Sequence, residues 1–140
     1  MSAGLDRFVD AQRDSYPAAL AELEAGAKRS HWMWFVFPQI AGLGRSETAR
    51  FYAIRNMAEA RAYLAHPLLG PRLVEATEAL LTHADRGAES MLGPIDAMKL
   101  ASSMTLFEAA AGDGTRALPF VRCLDAFFAG RRDAATLNRL

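Results

Sequence analysis

A single cysteine, Cys123, stands in a chain of 140 residues. It has no partner for an internal disulfide, which is the usage of a reducing compartment. Long apolar runs are also missing. The longest, Trp32 to Pro38, falls far short of the roughly 20 residues needed to span a bilayer. No basic start followed by an apolar stretch opens the chain, so no secretory signal is read and a cytoplasmic location without membrane contact is expected. Neither sign of charge is in excess, with 16 Lys plus Arg against 16 Asp plus Glu. That balance argues against a general nucleic-acid binder, whose surface carries a basic surplus. Histidine is scarce, three in all, and His31, His66 and His83 show no His-x-x-x-His spacing. No metal site and no cofactor are expected from them.

What is present points to a packed domain. Hydrophobic residues make up 51% and charged residues 23%, a globular rather than a disordered composition. A chain of this length buries about two thirds of its unfolded surface, enough for a core without a metal or disulfide. Residues 1–140 read as one domain, with no repeat, low-complexity tract or linker.

The periodicity is helical almost throughout. Leu5, Phe8, Val9 and Gln12 mark a helix over 5–14, and Pro17, suited to a first helical turn, opens another over 17–25 closed by Gly26. The run His31 to Phe37 has the aromatic and β-branched content of a strand, yet no second such run exists to pair with it. It is therefore read as a short buried helix, capped by Ser30 and stopped near Pro38. Gly42-Leu43-Gly44 forms a turn, and Ser46 caps a helix from Glu47 to Ile54. Asn56 with Glu59 resembles a capping box for a helix ending near Ala65. After the His66-Pro67 break, Leu69, Leu73, Val74, Ala76, Leu80 and Leu81 mark a longer amphipathic helix. A single turn at 89–92 precedes a helix started by Gly93-Pro94, with Ile95, Met98, Met104 and Phe107 as apolar anchors. Gly112-Asp113-Gly114 is a loop. Leu118, Val121, Leu124, Phe127 and Phe128 form a further face ended by Gly130, with Cys123 among them as a core residue. Asp133 caps a last helix through Leu140. The expected fold is all-α, a compact bundle of about seven to nine helices with at most marginal strand.

Three stretches carry a resemblance. They are Lys28 to Gln39 with its two tryptophans, Gly42 to Ser46, and Lys99 to Phe107. Together they resemble a bacterial family catalogued only as domain of unknown function eighteen-ten, over nearly the whole chain. The resemblance implies an all-helical fold and no established activity. Some members carry a calpastatin-like label, but calpastatin-type inhibitors are disordered polar chains, unlike this one.

Function is sought first where polar residues meet the aromatic run. Lys28, Arg29 and Ser30 precede it, and a helix N-terminus there with adjacent cations is a natural anion site. Trp32 or Trp34 can stack on a planar ligand such as a nucleobase, or be core. Trp34, mid-run, is expected to be buried. His31 is the candidate general acid or base, or else a hydrogen-bonded cap residue. The glycines before Arg45 permit close backbone approach to phosphate, although the lysine of a P-loop is absent and a plain turn serves as well. Lys99, Ser102 and Ser103 share a helix face, which lines a pocket or forms a wet side with Asp96 paired to Lys99. Two functions follow: a site for a small anionic, phosphate-bearing or nucleotide-like molecule, and a non-enzymatic module binding a protein through a helix face.

Overall fold

The computed structural model describes residues 3–112 and 114–140. Among these, nine α-helices occur: α1 Asp6–Ala25, α2 Met33–Val36, α3 Glu47–Phe51, α4 Met57–Ala65, α5 Leu69–Leu81, α6 Ala88–Leu92, α7 Pro94–Ala111, α8 Leu118–Phe128 and α9 Ala134–Leu137. Short 3₁₀ turns at Ala3–Leu5 and Thr115–Ala117 lead into α1 and α8. The fold is all-α. Pairing of extended backbone is confined, among the described residues, to one parallel bridge between Ile40 and Ile54.

α7 is the axis of the bundle. It packs against α4, α6, α8 and α9, and every residue from Ser102 to Phe107 is buried. A helix surrounded in this way has no wet side in that stretch, so amphipathic spacing does not identify its anchors. Ala97, Leu100, Met104 and Phe107 face the core. Ile95 and Met98, expected as anchors, are instead 66% and 62% exposed. α5 packs across α1, α4 and α8. Gly70 lets α5 lie directly on α4, because a Cβ there would collide with the Leu64 carbonyl.

The N-terminal helix is one element, not two. Phe8, Gln12, Tyr16, Ala19 and Leu23 are buried at helical spacing on both sides of Pro17. Pro17 is exposed, so its ring faces solvent while that continuous stripe holds the helix together across the lost N–H. α3 ends at Phe51, short of the expected Ile54. Ile54 is drawn into the bridge, where its N–H donates to the Gln39 carbonyl and its carbonyl accepts from Ala41 N, each at 2.8 Å. In α8 the buried residues are Phe120, Cys123 and Leu124, whereas Leu118 is exposed. That helix ends with Ala129 at φ 55°, a left-handed position ahead of Gly130. The last helix stops at Leu137 rather than Leu140. Asp113, in the expected glycine loop, lies outside the described residues.

Local caps follow the sequence closely. Ser46, Asn56 and Asp133 accept from the N–H of Ala49, Glu59 and Thr136. Glu59, however, does not reach back to Asn56 N as a full capping box would. It accepts from Arg55 N and from Arg7, 2.9 Å away. Arg7 also donates to the carbonyls of Phe51, Ala53 and Gly4. One guanidinium thereby joins the start of α1 to the α3–α4 connection. Both partners are nearly enclosed, so removing Arg7 leaves Glu59 only the exposed Arg55 guanidinium at 4.0 Å. Arg7→Ala is expected to cost about 3–5 kcal/mol in chemical denaturation. A loss below about 1 kcal/mol would show that this ion pair behaves as a surface pair.

Candidate functional site

The aromatic cluster is built by the end of α1. Gly26, at φ 71°, takes the left-handed C-cap position and closes the helix with its N–H on Glu22 and Leu23 carbonyls. The chain then reverses, and Lys28 N donates to the Met91 carbonyl of α6 at 2.9 Å. Glu22, on the last turn of α1, gathers the reversed segment. Its carboxylate accepts from Arg29 N at 2.8 Å, Ser30 N at 3.0 Å, Ser30 Oγ at 2.5 Å and Trp32 Nε1 at 2.8 Å. Partial burial pushes the carboxyl pKa up, but these four donors outweigh it and bring it from 4.5 down to about 2.

This clamp corrects the reading of Ser30. The helix begins at Met33 behind Trp32, with no side-chain cap, and Ser30 is committed to Glu22. No helix N-terminus therefore opens onto Lys28 and Arg29. The clamp also separates the two tryptophans. Trp32 is 1% exposed, packed against Phe37 at a ring separation of 6.3 Å. Its indole cannot take a stacking ligand. Trp34, expected to be buried, is only partly so. Residues two apart on a helical turn face opposite ways, so burying Trp32 turns Trp34 outward.

Two lysines reach this region. Lys28 Nζ lies 5.3 Å from the Trp32 ring and 2.9 Å from Asp96 Oδ2. Lys99 Nζ lies 5.1 Å from the Trp34 ring and 3.8 Å from Asp96 Oδ1. Asp96 is thus shared between two ammonium groups, each also drawn to an aromatic face. The ring of His31, an exposed residue, stands 6.4 Å from that of Trp34, tilted by 35°. Arg29 is exposed, and among the described residues its side chain has no hydrogen bond or ion pair. The structure therefore places Lys99 and His31 against Trp34 and joins Lys99 to Lys28 through Asp96, while Arg29 is tied to this region only by its backbone N–H on Glu22.

The other sequence candidates fall elsewhere. Arg45 is exposed in the turn before α3, and no hydrogen bond or ion pair among the described residues joins it to this cluster. Ser102 and Ser103 are buried; they form neither a wet face nor part of the Trp34 surface. Ser102 Oγ donates to Asp133 Oδ2 at 3.0 Å, while Thr105 Oγ1 accepts from Asp133 N at 2.9 Å. These hydroxyls dock the 131–133 segment on α7. Cys123 is fully buried, and burial pushes its thiol up to about 12, so it is inert core. Glu22 was not singled out from the sequence, because its partners lie seven to ten residues away across a chain reversal. The opposite facing of Trp32 and Trp34 was available from their spacing alone.

The chain belongs to the family described as protein of unknown function DUF1810, whose model matches residues 2–140. It is similar to the conserved hypothetical protein Rv1873 from Mycobacterium tuberculosis, known from a crystal structure. The two are 47% identical, with a TM-score of 0.93, over 97% of this chain and 95% of that one. No curated protein matches it significantly.

The Glu22 clamp yields a pH signature. Because its folded pKa lies below the ordinary 4.5, its charge adds stability above that value, and the contribution disappears as pH falls towards about 2. Glu22→Gln keeps the shape and removes the charge. At pH 7 it is expected to cost about 1–3 kcal/mol. The gap from the unsubstituted protein should stay constant above the ordinary carboxylate range and narrow on acidification. A gap independent of pH down to 2 would show that the charge on Glu22 does not contribute.

Proposed function

We propose that the Trp34 surface binds a small anionic molecule, phosphate-bearing and planar in part, as a nucleotide is. The observation that carries this reading is the partly exposed Trp34 indole, flanked by the Lys99 ammonium and the His31 ring. Lys28, Arg29 and Lys99 provide three permanent cations against two carboxylates, Glu22 and Asp96. A planar ring would stack on Trp34 while an anionic group meets Arg29 and Lys99. Arg29 is the main charge contact, since its planar fork suits phosphate and no partner among the described residues competes for it. His31 is read as the residue exchanging a proton with a bound ligand. The protein is read as cytoplasmic, where a lone thiol such as Cys123 stays reduced. No helix of the described residues is long and apolar enough to cross a membrane.

A second reading has its own observation. Ile95 and Met98 expose large apolar side chains on α7 within about one turn of Lys99. An exposed apolar pair beside a tryptophan suits a protein partner as well as a small ligand.

Thermal denaturation in the presence of AMP, adenosine or inorganic phosphate separates the readings, because a ligand of the native state raises the melting temperature. AMP is expected to give a larger shift than adenosine or phosphate alone. Arg29→Ala should change the unliganded stability by no more than about 1 kcal/mol, as for an exposed cation, yet remove most of the AMP shift. Lys99→Ala should also remove most of it. Absence of an AMP shift, or a shift that survives both substitutions, would overturn the small-ligand reading.

A further inference from the structure

A large hollow lies away from the Trp34 surface. It is a groove of about 1080 Å³ between the end of α4, the outer face of α5, the end of α7 and the start of α8. Lys99 and Ala110, one at each region, are eleven positions apart on α7, roughly 16 Å along the helix axis. The groove slightly exceeds the roughly 300–1,000 Å³ that small-molecule sites occupy. Its wall is apolar, with Leu64, Val74 and Phe120 the largest side chains and Pro67, Pro71 and Pro119 adding rigid surface.

The polar groups on its rim are of both signs. Arg61, Arg116 and Glu78 border it, and among the described residues none of the three is in an ion pair. Glu75 also borders it, but its Oε1 already accepts from the Tyr16 hydroxyl. His66 adds a donor whose identity is fixed by the fold. Its Nδ1 accepts from Leu68 N at 3.1 Å and Leu69 N at 3.2 Å, capping the entry to α5. Nδ1 therefore carries no proton, and the neutral ring holds its hydrogen on Nε2. The groove thus offers two guanidiniums and one imidazole N–H to an anion, two carboxylates to a cation, of which Glu78 has no hydrogen-bond partner among the described residues, and an apolar wall between them.

We propose that this groove binds a short, apolar, free-ended peptide, its terminal carboxylate on Arg61 and Arg116 and its terminal ammonium on Glu78. Uncompensated charges of both signs around an apolar wall match a zwitterion with an apolar body. A simple anion would leave Glu78 unpaired, and a neutral apolar compound would leave all three charges so. The volume of the groove and its three rigid prolines favour several residues over a single amino acid, because a preformed apolar wall seats an extended chain at low ordering cost.

The test uses the whole protein and the tetrapeptide Leu-Ala-Phe-Ala in three forms: free-ended, C-terminally amidated and N-terminally acetylated. Binding is followed by calorimetry and by amide shifts in a ¹⁵N-labelled sample. The free-ended peptide is expected to bind, with shifts centred on Gly70, Val74 and Ala111. Amidation should weaken it at least tenfold and acetylation severalfold. Arg116→Ala should weaken the free peptide about tenfold while leaving the affinity of the amidated form unchanged. Equal binding of the amidated and free peptides would overturn the proposal. So would absence of binding, or shifts centred on the Trp34 indole. Because the three peptides are compared on the unsubstituted protein, the outcome holds even if a substitution perturbs the fold.

Discussion

The site region hangs on the Glu22 carboxylate. Four donors converge on it from the segment that leaves α1, and that segment has no regular structure of its own. Without such an acceptor, the N–H groups of Arg29 and Ser30 would have only water, and the Trp32 indole N–H would be carried inward unpaired. The charged carboxylate makes each bond stronger than a neutral acceptor would. Once Trp32 is drawn in, the chain has little freedom: Met33, Phe35 and Val36 follow it into the core, and Trp34 is left at the surface.

A second buried polar group locks the same turn from behind. Gln12 Nε2 donates to the Phe35 carbonyl at 2.7 Å and to the Tyr63 hydroxyl at 3.1 Å, and that hydroxyl donates to the same carbonyl at 3.3 Å. A helix as short as α2 leaves most of its carbonyls without intrahelical partners. Gln12 of α1 and Tyr63 of α4 satisfy one of them inside the core. Burial raises the Tyr63 phenol well above its ordinary pKa, so it remains a neutral donor. α2 is thus held by polar contacts at its entry and within its turn, which explains how four residues persist as a helix.

The sequence revealed what is local. Caps at Ser46, Asn56 and Asp133 act over three residues, and each was readable from residue type and spacing. The helical period of α5 was equally plain. Contacts across long separations were not legible. Pro17 looks like a boundary until the stripe from Phe8 to Leu23 is seen packed as one, and Ser102 looks like a surface hydroxyl until Asp133 arrives from 31 residues away. In α7, apolar residues occur all round, so nothing in the pattern distinguished exposed Ile95 and Met98 from buried Leu100 and Met104. The candidate site was half legible: Lys28, Arg29, His31 and Lys99 stood out by type and the two tryptophans had to face opposite ways, while Glu22, and with it which tryptophan is drawn inward, required the chain reversal.

Hydrogen exchange at the two indole N–H groups, resolved by NMR, tests the clamp most directly. If Glu22 holds Trp32 inward and leaves Trp34 at the surface, the Trp32 indole proton exchanges far more slowly than that of Trp34, and Glu22→Gln speeds the former alone. Similar exchange at both indoles, or a slower Trp34, would contradict that arrangement and with it the assignment of Trp34 as the ligand-facing ring.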